Sequence, residues 1–135
     1  MSGPFSALAI PASGMTTYRA WLDALSDNVA NVNTVRSTDE PAFQERFVVA
    51  EAREDGQGIG RGVRVAEVRF GDPTGRLSYQ PDHPLADENG MVRLPDMNLS
   101  DQMTSLIAAQ RAYQLNVAVF ERARDSYQRA LEIGK

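Results

Sequence analysis

Cysteine is absent from the 135 residues, so the chain has no disulfide, no thiolate nucleophile and no sulfur-built metal site. One histidine, His83, excludes any site that needs two imidazoles. Long apolar runs are missing too, and nothing is long enough to span a bilayer. Met1 to Ile10 carries no basic residue and no adequate apolar core, so a cleaved secretory signal is not expected. The chain holds 14 Lys plus Arg against 18 Asp plus Glu, a net charge of −4, with no block of basic residues. That balance argues against a phosphate-binding surface, and with it against a nucleic-acid partner.

The 42% of hydrophobic and 24% of charged residues suit one folded domain of ordinary size. Two heptad segments flank a different middle. In the first, Leu8, Met15, Tyr18, Leu22, Leu25, Val29 and Val32 form an apolar seam whose gaps from Met15 onward alternate between three and four. Pro11 belongs to a first turn or a kink. Asn31-Val32-Asn33-Thr34 ends the segment, with Asn suited to a left-handed cap. The second seam runs through Leu99, Met103, Leu106, Gln110, Tyr113, Val117, Phe120, Arg124, Tyr127 and Leu131, with Asn98 as N-cap. Trp21, Ile107, Leu115 and Ile133 lie off both seams, so a two-helix coil leaves them uncovered and further partners are implied.

Between the seams, residues 35–97 hold five of the seven prolines and most of the glycines. Phe43 to Arg53 reads as a strand, and Gly56 to Gly62 as a mobile loop. Val63 to Phe70 reads as a second strand with a bulge at Ala66-Glu67. Asp72-Pro73-Thr74-Gly75 is a turn from which Arg76 to Tyr79 returns as a hairpin arm. Asn89-Gly90 precedes a last strand, Met91 to Leu94. The expected middle is one small twisted sheet with long loops.

Candidate chemistry is thin. His83 lies in Pro81-Asp82-His83-Pro84, near Asp87 and Glu88, where a metal or a hydrolytic pair is conceivable. A proline-stiffened surface loop explains the same residues more simply. Gly56-Gln57-Gly58-Ile59-Gly60-Arg61-Gly62 lacks the spacing of a dinucleotide cradle and the Lys-Ser/Thr of a P-loop. Tyr113, Phe120 and Tyr127 recur every seven residues, which is a packing face before it is a stacking platform. No catalytic, cofactor or metal residue is assigned.

Ser13-Gly14-Met15 and Asn28-Val29-Ala30-Asn31-Val32-Asn33-Thr34 resemble the N-terminal signature of flagellar axial proteins of the rod and hook. Arg111-Ala112-Tyr113-Gln114-Leu115-Asn116 resembles their C-terminal segment. The loop with Pro81, His83 and Pro84, together with the short middle, is similar to the proximal-rod branch. Met91, Asp96-Met97 and Gln102 depart from the usual pattern, Gln102 standing where Glu is common.

The resemblance implies an α+β fold: long terminal helices paired as a coiled-coil-like D0 domain around a β-rich middle. The segments would be 1–34, 35–97 and 98–135. It implies a non-enzymatic structural subunit of the proximal rod, exported by the flagellar type III apparatus and sited in the periplasmic part of the basal body. Partners would be further copies and rod proteins of the FlgB, FlgF, FliE and FlgG types, with no cofactor and no small-molecule substrate. Subunit packing would use the seam residues, Leu8 to Val32 above and Met103, Leu106, Tyr113, Val117, Phe120, Tyr127 and Leu131. The family motif residues would be Asn28, Asn31, Asn33, Thr34, Pro81, His83, Pro84, Ala112, Tyr113 and Asn116. The rival readings are another rod subunit, or a coiled-coil adaptor that does not polymerise.

Overall fold

A computed structural model describes residues 4–134. The elements in chain order are α1 (Pro4–Asn31), β1 (Arg46–Glu54), β2 (Gly60–Phe70), β3 (Arg76–Tyr79), β4 (Met91–Leu94) and α2 (Leu99–Ile133). The fold is α+β, with the two long helices at the ends of the chain and short antiparallel pairs between them. No described helix is long and apolar enough to cross a membrane.

α2 begins and α1 ends where local chemistry directs. The Asn98 side-chain oxygen accepts from the N–H groups of Ser100 at 2.8 Å and Asp101 at 3.4 Å, and Asp101 lies in the first turn of α2. At about 1.5 Å per residue, α2 is about 50 Å long. Pro11 sits inside α1, and the helix continues through it instead of starting or breaking there. At the other end, Asn31 Nδ2 donates to the Asp27 carbonyl at 2.8 Å, and Thr34 Oγ1 donates to Asn31 Oδ1 at 3.1 Å. These side-chain bonds replace the expected left-handed cap, since no described non-glycine residue has a positive φ.

The strands pair differently from expectation. Instead of one sheet there are two two-stranded sheets, β1 with β2 and β3 with β4. The β1–β2 connection is short because β2 already starts at Gly60. Asp55 organises it: Oδ1 accepts from the N–H groups of Ile59 at 2.9 Å and Gln57 at 3.0 Å, and Arg61 bonds Oδ2 at 3.0 Å. The Ile59 and Gln57 bonds, aided by Arg61 and opposed by burial, hold the Asp55 carboxyl below its ordinary pKa. The loop expected over Gly56 to Gly62 is therefore shorter, a turn braced by the Asp55 side chain, with Gly60 to Gly62 already in β2. β2 runs as one strand from Gly60 through Ala66-Glu67 to Phe70.

Arg76–Tyr79 does not return along β2. Beyond β2 the chain is already taken, since Gly71 N–H donates to the Glu45 carbonyl and Gln44 Nε2 to the Gly71 carbonyl, both at 2.7 Å. The arm pairs with β4 instead, antiparallel, Arg76 opposite Leu94 and Tyr79 opposite Met91. On the other edge of β4, Arg36 and Arg93 exchange both backbone hydrogen bonds, at 2.8 and 2.9 Å. That leaves β4 satisfied on both sides, with Val92 and Leu94 buried on one face.

Two compact units result. One comprises the chain up to Leu22, Val48–Glu67 and the chain from Ile107 onward. The other comprises Asp23–Phe47 and Val68–Leu106. The second has its core at Val92, Leu94, Ala42 and Pro95. Its Asp72 turn forms as the residues suggest: Thr74 N–H bonds Asp72 Oδ1 at 2.8 Å, and Gly75 takes φ +57°. A Cβ on Gly75 would strike the Leu94 carbonyl oxygen and lie 2.6 Å from the Ala42 Cβ. Gly56 has nothing within 4 Å of the same atom and no positive φ. Gly75→Ala should therefore cost about 2–4 kcal/mol, from left-handed strain and overpacking, and Gly56→Ala less than about 0.5. Urea unfolding midpoints of the two variants check the contrast.

Candidate functional site

A buried polar network joins the elements of the second unit. The Asn28 side chain is fully buried on α1. Its Oδ1 accepts from Arg46 N–H at 2.9 Å, and its Nδ2 donates to the Arg46 carbonyl and to Gln102 Oε1, both at 3.0 Å. The carboxamide thus serves the first residue of β1 as a neighbouring strand would. Gln102, 5% exposed, donates onward from Nε2 to Glu45 Oε1 at 2.5 Å. The Arg46 guanidinium pairs with the Asp27 carboxylate and lies 5.8 Å from the centre of the Phe43 ring. In this way the end of α1, the start of β1 and the start of α2 are tied by bonds that leave none of these amide groups unpaired.

In the first unit, small residues allow close packing. Ser13 Oγ donates to the Ile10 carbonyl at 2.6 Å and accepts from Val63 N–H at 3.1 Å. A Cβ on Gly62 would collide with that hydroxyl, and a Cβ on Gly14 would collide with the Asn116 amide oxygen. The Ser13-Gly14 pair therefore fits α1 against β2 on one side and α2 on the other. Asn116 Nδ2 is anchored on the Ala112 carbonyl at 2.8 Å. Phe5 meets Tyr127 with ring centres 5.6 Å apart, so in this unit the two helices run antiparallel.

The His83 loop is held by its own backbone. His83 Nδ1 accepts from Leu85 N–H at 3.1 Å. Asp87 Oδ1 accepts from the N–H groups of Met91 and Asn89, each at 2.9 Å. The Met91 bond leads in lowering the Asp87 pKa; burial opposes it, while Asn89 and Thr38 assist. Among the described residues no group of three or more His, Asp or Glu is placed to hold a metal ion.

The expected packing and motif residues distribute as follows. Leu25 and Asn28 are buried; Leu8, Met15, Tyr18, Leu22, Val29 and Val32 are half-buried on α1 and just beyond it. On α2, Leu106, Ala112, Tyr113, Asn116, Val117, Phe120 and Tyr127 are half-buried, while Met103 and Leu131 are exposed. Asn31, Thr34 and His83 are half-buried, and Asn33, Pro81 and Pro84 are exposed. Beside Pro11 and Leu25, the buried positions on the helices are small or polar: Gly14, Thr17, Ala24, Asn28, Gln102 and Ala109. Ala109 takes the inward place beside the polar intrusion Gln110, which is exposed. Arg46 and Gln102 as partners of Asn28 were not legible in sequence; an Asn on the inner side of a helix signals a buried acceptor without naming it.

Large apolar side chains remain outside. Ile107, Leu115, Val119 and Ile133 of α2 are 49%, 67%, 52% and 86% exposed. A cleft of 310 Å³ opens in the same unit between Thr17, Tyr18, Trp21, Val48, Ala50 and Val63.

Known proteins share this arrangement of sequence. The flagella basal body rod protein family model matches residues 8–36, and the C-terminal model of the flagellar basal body rod FlgEFG proteins matches residues 88–133. The flagellar basal-body rod protein FlgC of Borreliella burgdorferi is 32% identical, with 97% of each chain covered. That of Aquifex aeolicus is 35% identical, again over 97% of each. The chain belongs to the FlgC family of flagellar basal-body rod proteins. The FlgC protein of Yersinia enterocolitica is 33% identical over 93% of this chain and 94% of its own. As a FlgC family member the chain is a structural rod subunit, and the axial-family resemblance of its two ends holds along nearly the whole length.

Asn28→Leu keeps volume but strands the Arg46 N–H, the Arg46 carbonyl and the Gln102 oxygen. It should cost about 3–5 kcal/mol, against about 1 kcal/mol for Asn31→Leu, which loses half-buried bonds near solvent. Urea denaturation of both variants measures this. Gln102→Glu sets a second carboxylate against Glu45. One of the pair then titrates above its unfolded value, so the variant is weakest at neutral pH and regains stability as pH falls through that raised pKa. Thermal melts of variant and parent from neutral to acidic pH should converge; a constant gap would contradict the facing carboxylates.

Proposed function

We propose that this rod subunit polymerises through its terminal helices into a tubular shaft that carries torque from motor to hook. The supporting observation is the outer surface of α2. One face of α2 is covered along Gln102, Leu106, Ala109, Tyr113, Val117, Phe120 and Tyr127, yet Ile107, Leu115, Val119 and Ile133 face water on the other, more apolar surface than an isolated chain has reason to expose. Neighbouring subunits on several sides would cover them, and contacts of that heterologous kind extend without closing.

On this reading the segments 1–34, 35–97 and 98–135 act as axial helix, β-rich middle and axial helix. The seam residues Met15, Tyr18, Leu22, Val29, Met103, Leu106, Val117 and Leu131 complete their burial between subunits. The partners are further copies and rod proteins of the FlgB, FlgF, FliE and FlgG types. Export runs through the flagellar type III apparatus without a cleaved signal, and the subunit resides where the rod crosses the periplasmic space. The subunit performs no catalysis: His83 belongs to a loop whose bonds are internal, and its imidazole serves the Leu85 N–H.

Leu115→Asp tests the reading at a position that costs the folded chain little, because the side chain is already mostly in water. Expected are an unchanged urea midpoint, within about 0.5 kcal/mol, and loss of the subunit from purified basal bodies with loss of swimming. His83→Ala should swim and incorporate as the parent does. A swimming Leu115→Asp strain beside a non-motile His83→Ala strain would overturn the structural role of this surface.

A further inference from the structure

We propose that the outward face of α2 docks on the acidic second unit of another copy of this chain, an inference that rests on the rod-subunit reading above. Arg111, Leu115, Ala118, Arg122, Ser126, Arg129 and Ile133 recur at gaps of three and four residues, so they share one stripe of the helix. All seven are exposed, and the stripe contains no carboxylate. Arg111, Arg122 and Arg129 form no ion pair among the described residues.

Charge is divided unevenly between the two units. The first holds nine Lys or Arg against seven Asp or Glu, a net +2; the second holds five against eleven, a net −6. In the second unit Glu45, Asp96 and Asp101 line an open polar groove of 430 Å³ with Asn98 and Gln102. The Asp96 and Asp101 carboxylates face no cation among the described residues. Leu99 and Met103, 45% and 41% exposed, belong to the same unit and offer apolar contact. An apolar stripe studded with guanidinium groups thus has its complement on the same chain: apolar side chains among carboxylates.

The pairing is directional. Second unit against second unit would bring two surfaces of −6 together, which like-charge repulsion opposes. First unit against second unit of the next copy joins opposite charges and leaves a free surface of each kind, so the contact repeats head to tail. Arginine suits the role, since its planar fork pairs carboxylates in two-point fashion at a lower desolvation cost than lysine.

The absence of cysteine makes the test clean. Leu115→Cys and Met103→Cys each introduce the only thiol of a full-length chain, and a size tag on one distinguishes mixed from like-with-like disulfides. After mixing and mild oxidation at low salt, the mixed dimer should exceed either like dimer by at least about fivefold, and the excess should vanish near 1 M salt, where screening shortens to roughly 3 Å. Adding Arg111→Glu, Arg122→Glu and Arg129→Glu to the Leu115→Cys chain should remove the excess while circular dichroism stays that of the parent. Equal yields of all dimers, an excess insensitive to salt, or undiminished cross-linking of the charge-reversed chain each overturn the interface. In cells producing both the Leu115→Cys and the Met103→Cys chains, cross-linking of Leu115→Cys to a different rod protein, and not to the Met103→Cys chain, overturns the choice of a second copy as occupant. If the charge-reversed chain still enters basal bodies and supports swimming, the interface fails and the rod reading stands. The rod reading itself fails only if the parent chain is absent from basal bodies.

Discussion

The Asn28 carboxamide facing both backbone groups of Arg46 is the contact on which the second unit depends. A helix offers no free backbone to a strand running beside it, so the first N–H and C=O of β1 would be stranded at burial. One side-chain amide supplies a donor and an acceptor in the geometry of a peptide, and its second N–H reaches Gln102 on α2. Only Asn or Gln carries that pair of functions, and only Asn is short enough to hold β1 close to α1. An apolar residue here would fill the space and orphan the network. The cost of each orphan, about 1–3 kcal/mol, is large against a stability of roughly 5–15 kcal/mol.

In the first unit close approach is obtained by removing side chains. Gly14 yields its volume to Asn116, and Gly62 yields to Ser13. A second set of large apolar residues, Ile107, Leu115, Val119 and Ile133, is left at the surface of α2. Such a distribution is costly for a monomer and natural for a filament. On the proposed reading each subunit needs only enough internal contact to hold its shape, and burial of Leu115, Val119 and Ile133, about 1.5–3 kcal/mol for each when complete, is left to assembly. In the interface proposed above, the unequal charges of the two units add direction to that otherwise non-directional attraction.

Local features were legible in the residues and non-local ones were not. The heptads placed both helices, Asn98 was visible as a cap, and Asp72-Pro73-Thr74-Gly75 was visible as a turn, because each depends on neighbours within four residues. Strand partners escaped the same reasoning. Arg76–Tyr79 follows a turn and alternates well, which suits a hairpin with β2 as much as a pair with β4; the choice fell to Gly71 and Glu45, 26 residues apart in sequence. The glycine-rich stretch misled for a related reason. Composition shows freedom of the unfolded chain, whereas Asp55 removes that freedom with three hydrogen bonds once the turn closes. Of the motif asparagines, Asn28, Asn31 and Asn33 look alike in sequence, yet only the first is buried.

The sequence by itself determined where the helices lie, what caps them, which chemistries are excluded and to which family the chain belongs. These follow from periodicity, composition and motif, which need no knowledge of distant contacts. The tertiary structure alone decided which strands pair, why Ser13 and Gly14 must be small, which asparagine carries the network and which apolar residues stay outside. It also sorted the charges, gathering an excess of carboxylates into one unit from stretches that alternate along the chain. Such outcomes depend on which distant groups meet, and hydrogen-bond satisfaction and volume settle that only when the whole chain has folded.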